Sequence, residues 1–129
     1  MSSQRNKKGP SQRQLRVGEV IRKALADIFI KVDIQDEDLT GLMIVVSEVT
    51  VSPDVRNATA YISALGKDDQ DKVIAALNRH AKFIRGELAR KVDLKYIPQL
   101  KFSLDTSFEN ARHIDSVLNS AHVAQDLKP

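Results

Sequence analysis

The chain contains no cysteine. That excludes a disulfide framework and a thiolate metal site, and it agrees with a reducing cytoplasm. No segment approaches the ~18 apolar residues of a membrane span, and the opening MSSQRNKKG carries cations with no apolar run behind them, unlike a secretory leader. The expectation is a cytoplasmic protein that does not engage a membrane. Catalytic motifs are absent too: there is no glycine-rich phosphate loop, no Gly-x-Ser-x-Gly elbow and no HExxH helix. His80, His113 and His122 fall in separate elements without ligand spacing. Asp36, Glu37 and Asp38 lack the alternating oxygen ligands and mid-loop glycine of a calcium loop. Asp54 and Asp105 sit in a turn and at a strand end, where a carboxylate accepts local backbone bonds. Neither enzyme activity, nor a cofactor, nor a metal is implied.

What the chain does have is sorted charge. The net charge is only +3 over 129 residues. Yet residues 1–23 hold seven Lys/Arg and one acid, and residues 72–101 hold eight and two. Residues 24–71 hold three and ten. A solvated surface does not require such segregation, whereas docking on a polyanion does, so nucleic acid is the favoured partner class.

The second basic block centres on Arg79–Lys95, RHAKFIRGELARKVDLK. Ile74, Leu77, Ala81, Ile84 and Leu88 keep the three-and-four spacing of one helical face, and Arg79, Lys82 and Arg90 fall roughly opposite it. Phe83 breaks the pattern, since in one straight helix it would lie among the cations. An exposed ring there could stack on a nucleobase; a kink near His80–Lys82 would instead turn it inward, and the kink is the expectation adopted.

Around this block the chain reads as one domain, large enough for a core of its own. Residues 1–10 form a basic arm ending at Gly9–Pro10. Ser11-x-x-Gln14 is a capping box opening a helix to about Lys31. Asp33–Gly41 is an acidic loop. Leu42–Val51 is β-branched and strand-like, Ser52-Pro53-Asp54 is a turn, and Ala58–Ala64 alternates with period two. These make an antiparallel hairpin whose small inward residues would let a helix pack closely. Gly66 breaks the strand, and Asp68 or Asp69 caps the next helix, which continues through the basic stretch to about Leu94. Gly86 marks bending or close approach. Leu100, Phe102 and Leu104 alternate in a third strand, and Thr106–Glu109 caps a short helix to Ala121 before a tail at 122–129. The order α–β–β–α–(kink)–α–β–α, with helices against a three-stranded sheet, is an α+β two-layer domain spanning residues 11–121.

Several spaced motifs then resemble one family. Val49-Thr50-Val51-Ser52-Pro53-Asp54 followed by Ala58, Tyr61 and Ser63 is similar to the hairpin of the ribosome-binding factor A family. So are Phe83-Ile84-Arg85, the run Pro98-x-Leu100-x-Phe102-x-x-Asp105-x-Ser107 with Ile114, and the opening Arg16-Val17…Ile21-Arg22. The resemblance covers roughly residues 11–118. It implies a type II K-homology-like fold with a kinked helix pair in place of the usual Gly-x-x-Gly loop. It also implies binding to the immature small (30S) ribosomal subunit, maturation of its 16S rRNA and importance in the cold. Where the family carries Ala-x-Gly before Phe-Ile-Arg, this chain has His80, Ala81 and Lys82, which removes a glycine and adds a cation.

The expected RNA-binding surface joins Arg79, Lys82, Arg85, Arg90, Lys91 and Lys95 with Arg13, Arg16, Arg22 and Lys23 and with Arg5, Lys7 and Lys8 of the arm. Phosphate contacts would supply affinity and the kinked pair would set position, with folded RNA recognised by shape. The rivals are a protein–protein adaptor docking a ribosomal protein or a maturation GTPase, a general RNA chaperone and, least supported, an enzyme. No dimer seam is visible, so a monomer is expected.

Overall fold

The computed structural model describes residues 9–66 and 69–106. The expected arm with Arg5, Lys7 and Lys8, the expected C-terminal helix and tail, His113 and His122 lie outside the described residues. Among the described residues six elements follow in order: α1 (Gln12–Lys31), β1 (Met43–Val51), β2 (Asn57–Leu65), α2 (Gln70–Arg79), α3 (Ala81–Lys91) and β3 (Gln99–Leu104).

The expected starts rest on the residues that predicted them. The Ser11 hydroxyl accepts from the Gln14 amide N–H at 3.1 Å, and the Ser11 N–H donates to the Gln14 side chain at 2.8 Å, closing the capping box. The Asp69 carboxylate accepts from the Lys72 N–H at 3.2 Å to start α2. Gly66 leaves β2 at φ +104°, a conformation that side-chain-bearing residues rarely adopt.

β1 and β2 pair antiparallel from Met43↔Leu65 to Val51↔Ala58, with a bulge at Ser47 between Val46 and Glu48. β3 pairs with β2 in parallel, Asn57↔Gln99 to Ile62↔Leu104, giving the order β1-β2-β3. A parallel neighbour needs a crossover, and α2 and α3 together supply it. Val46, Val49, Val51, Ala58, Ala60, Ile62 and Phe102 face the helices and are buried. The alanines keep that face shallow. Ile21, Leu25 and Ile28 of α1, Val73 and Leu77 of α2, and Ile84 and Leu88 of α3 bury completely against it. Phe29 of α1 meets Phe102 edge-on, with ring centroids 6.1 Å apart.

Amide side chains tie the helices to the sheet. Asn78 of α2 donates to the Phe102 carbonyl at 3.0 Å and accepts from the Phe102 N–H at 2.9 Å. Gln70 does the same to Ala64, at 3.0 Å for each bond. Both act as surrogate backbone partners, which satisfies polar groups that are costly to leave unmade.

Two details differ from expectation. The helix after the kink ends at Lys91, because β-branched Val92 turns extended (φ −110°, ψ 152°) and packs its side chain against the core. Lys95 therefore lies in a loop. Gly86 is the second case: nothing lies within 4 Å of a Cβ built there, so it marks no close approach.

Candidate nucleic-acid interface

The break falls at a single residue. His80 has φ −102° and ψ 13°; its N–H donates to the Ala76 and Leu77 carbonyls at 3.2 and 3.1 Å, and its carbonyl accepts the Ile84 N–H at 2.9 Å. One residue thus closes α2 and opens α3, without glycine or proline. What fixes it comes from the acidic loop. The Arg79 guanidinium donates to Asp36 at 2.9 Å and Asp38 at 3.2 Å, and His80 Nε2 lies 3.0 Å from the same Asp36 carboxylate. The Asp36 side chain is only 10% exposed. The Asp38 N–H first, then Arg79, hold its carboxyl well below the usual range, at about 2.

The change of direction places Ile84 and Leu88 in the core, but it does not turn Phe83 inward. Phe83 remains 47% exposed: it lies about 100° around the helix from Ile84, which holds the core-facing position. The outer surface of α3 therefore carries Lys82, Phe83, Gly86 and Arg90 together, all exposed. A ring among cations is the arrangement suited to a base or ribose beside phosphates.

The ten expected cations that fall within the described residues divide by what already holds them. Arg85 is half-buried; its Nε donates to the Pro98 carbonyl at 3.0 Å and its Nη2 to the Ile97 carbonyl. That ties α3 to the lead-in of β3 and turns the guanidinium away from solvent. Arg79 is held by Asp36 and Asp38 as described. Lys91 pairs with Asp27, whose carboxyl is lowered by Lys91 and Lys31. Arg22 forks onto Glu19 at 3.0 and 2.6 Å, lowering that carboxyl, and Lys23 stands 4.0 Å from it. Arg90 pairs with Glu87 at 3.3 Å across one turn, but its side chain is 66% exposed. Surface pairs of this kind contribute roughly 0–1 kcal/mol, so a phosphate can displace Glu87 at little cost. Arg13, Arg16, Lys82 and Lys95 are exposed and make no ion pair among the described residues.

Helical spacing could not reveal that Asp36 and Asp38 fold beneath Arg79, nor that Arg85 points at carbonyls. It also passed over Arg56 and Tyr96, whose guanidinium and ring stack with 5.3 Å from Cζ to ring centroid. An isolated Arg and a Tyr far along the chain give no signal in sequence. No group of three or more His, Cys, Asp or Glu among the described residues is arranged to hold a metal ion, and no described helix is long and apolar enough to cross a membrane.

The family model for ribosome-binding factor A matches residues 13–118. The chain belongs to the ribosome-binding factor A family. A ribosome-binding factor A from Parvibaculum lavamentivorans is 50% identical over 127 residues, covering 98% of this chain and 91% of that one. The crystal structure of ribosome-binding factor A from Thermus thermophilus is similar at a TM-score of 0.57 with 24% identity, over 70% of this chain and 94% of that one. A homology model of the Thermus thermophilus factor, fitted into a cryo-electron microscopy map of its complex with the 30S subunit, gives a TM-score of 0.54 with 24% identity, over 67% and 89%. The α–β–β–α–α–β order with helices on one face of the sheet is the K-homology-like fold of this family, with the break at His80 between its paired helices.

Proposed function

We propose that the protein binds the immature small ribosomal subunit in the cytoplasm and assists late maturation of its 16S rRNA. The observation that carries this reading is the outer face of α3, aimed by the break at His80, where exposed Phe83 lies among Lys82 and Arg90. A relative of the same fold has been fitted into a 30S complex, which supports the choice of partner. The mechanism is binding alone. A protein that holds one rRNA conformation more tightly than another shifts the population toward it by that difference in affinity, and 16S processing then acts on the favoured state. The same differential matters most in the cold, when misfolded RNA escapes slowly. Leu15 and Val20, exposed between Arg16, Glu19 and Lys23 on α1, offer a place for a protein partner such as a maturation GTPase.

The test is charge reversal on the exposed face. The double variant Lys82→Glu/Arg90→Glu should keep its melting temperature and lose about a hundredfold in affinity for immature subunits, since each reversal removes a phosphate contact and adds repulsion. Unchanged affinity would assign the work to an adaptor surface instead.

A further inference from the structure

A second basic site lies where three separate segments converge. Arg13 at the start of α1, Asp54, Val55 and Arg56 of the β1–β2 turn, and Leu94, Lys95 and Tyr96 after α3 line a cleft of about 520 Å³. Arg13, Arg56 and Lys95 are all exposed, and none makes an ion pair among the described residues. The acid of the cleft is already engaged: Asp54 accepts from the Ser52 hydroxyl at 2.6 Å and the Arg56 N–H at 3.1 Å, which lower its pKa. Both bonds fall on Oδ1, so one oxygen of the carboxylate is committed to the turn.

The turn is also held in an unusual conformation. Val55 has φ +60°, the left-handed region that β-branched residues avoid. Its side chain is buried in the core, and its N–H donates to the Ser52 carbonyl at 2.8 Å. A strained residue of this kind persists only where its surroundings over-determine it. Here the consequence is positional. With Val55 turned in, Arg56 is delivered onto the Tyr96 ring, and the Arg56 carbonyl accepts the Gln99 N–H at 2.9 Å, fixing the turn to β3. Arg56 covers one side of the ring, and Tyr96 remains 42% exposed.

We propose that this cleft binds single-stranded RNA, one nucleotide at a time, with the phosphate on Arg13, Arg56 and Lys95 and the base stacked on the open side of Tyr96. The inference rests on the rRNA-binding reading and adds to it a site for an unpaired segment. Its size falls within the ~300–1,000 Å³ typical of small-ligand sites, which suits a nucleotide and not a duplex. Single strands are recognised in this way, by splayed bases on aromatic rings beside a cationic track. A helical RNA presents no free base to the ring, so this site and the face of α3 would take different parts of one rRNA.

The test uses the full chain and a uridine hexanucleotide. With no tryptophan, ultraviolet emission comes from Tyr61 and Tyr96 alone, and the part lost in Tyr96→Ala is the signal of the site. The hexanucleotide should quench emission in the unaltered protein. Tyr96→Ala should abolish that quenching and weaken binding about tenfold, the usual size of one stacked base, while Tyr96→Phe, measured by filter retention, should bind normally. Arg56→Gln should also weaken binding, with the melting temperature of each variant checked first. The proposal fails if the unaltered protein does not bind the hexanucleotide, if Tyr96→Ala binds it as well, or if Tyr96→Phe loses as much as Tyr96→Ala. It fails equally if polyglutamate displaces the RNA at matching concentration, which would make the cleft a dock for an acidic protein. If Tyr96→Ala is silent while Lys82→Glu/Arg90→Glu loses subunit affinity, the cleft alone is refuted and the rRNA reading stands.

Discussion

Gly18 and Gly86 are both helical glycines, and their surroundings give them opposite roles. A Cβ at Gly18 would sit 2.6 Å from the Val49 carbonyl oxygen, a backbone atom within the sheet that has nowhere to move. Gly18→Ala should therefore destabilise the fold by about 1–3 kcal/mol, the usual range for overpacking, read from the urea midpoint at unchanged slope. Gly86 has open space around it, and Gly86→Ala should stabilise by about 0.5–1 kcal/mol through helix propensity alone. Asp36 gives a pH signature. Its folded pKa of about 2 lies below the ordinary 3.8, so the unfolded chain binds its proton first. Its contribution is complete above the ordinary value and is lost as pH falls through 3.8 toward 2. Asp36→Asn should flatten that part of the acid limb of stability against pH, and an unchanged limb would show that Asp36 does not anchor the break. Neither the difference between the glycines nor the burial of Asp36 can be read from one-letter codes, because both depend on what a distant segment places nearby.

At the scale of elements, the second helix of the pair is held chiefly by apolar burial. Ile84 and Leu88 are fully buried, each contributing roughly 1.5–3 kcal/mol, against a few tenths for the Arg90–Glu87 pair. Arg85 adds the polar anchor to Ile97 and Pro98. Arg85→Met keeps most of the apolar stem but leaves two carbonyls without their donor, and should cost about 1–3 kcal/mol of stability while leaving the salt dependence of RNA binding unaltered. A reduced salt slope with no loss of stability would mean that Arg85 contacts RNA after all. Much of this level was legible in sequence: the capping box at Ser11, the hairpin, the alternation of β3 and a break near His80 all rest on local rules. The exposed Phe83 and the helix end at Lys91 were not. The first depends on the direction α3 takes after the break, and the second on Val92 finding the core, both of which are tertiary outcomes.

For the molecule as a whole, the segregated charge of the sequence is partly spent on the fold itself. The acidic loop folds back to hold Arg79 and His80, Asp27 holds Lys91, and Glu19 holds Arg22. What remains for a partner is smaller than the basic blocks suggest, but better defined: Lys82 and Arg90 beside Phe83 on α3, Arg16 on α1, and Arg13, Arg56 and Lys95 at the cleft. With about five of these six on phosphate, the salt dependence is set. The decisive measurement is the affinity of the full chain for immature small subunits across a series of salt concentrations. The logarithm of the association constant should fall linearly with the logarithm of salt at a slope of roughly −4, becoming shallower by about two in Lys82→Glu/Arg90→Glu. A flat line, or a slope untouched by that double variant, would contradict the assignment of this surface to rRNA.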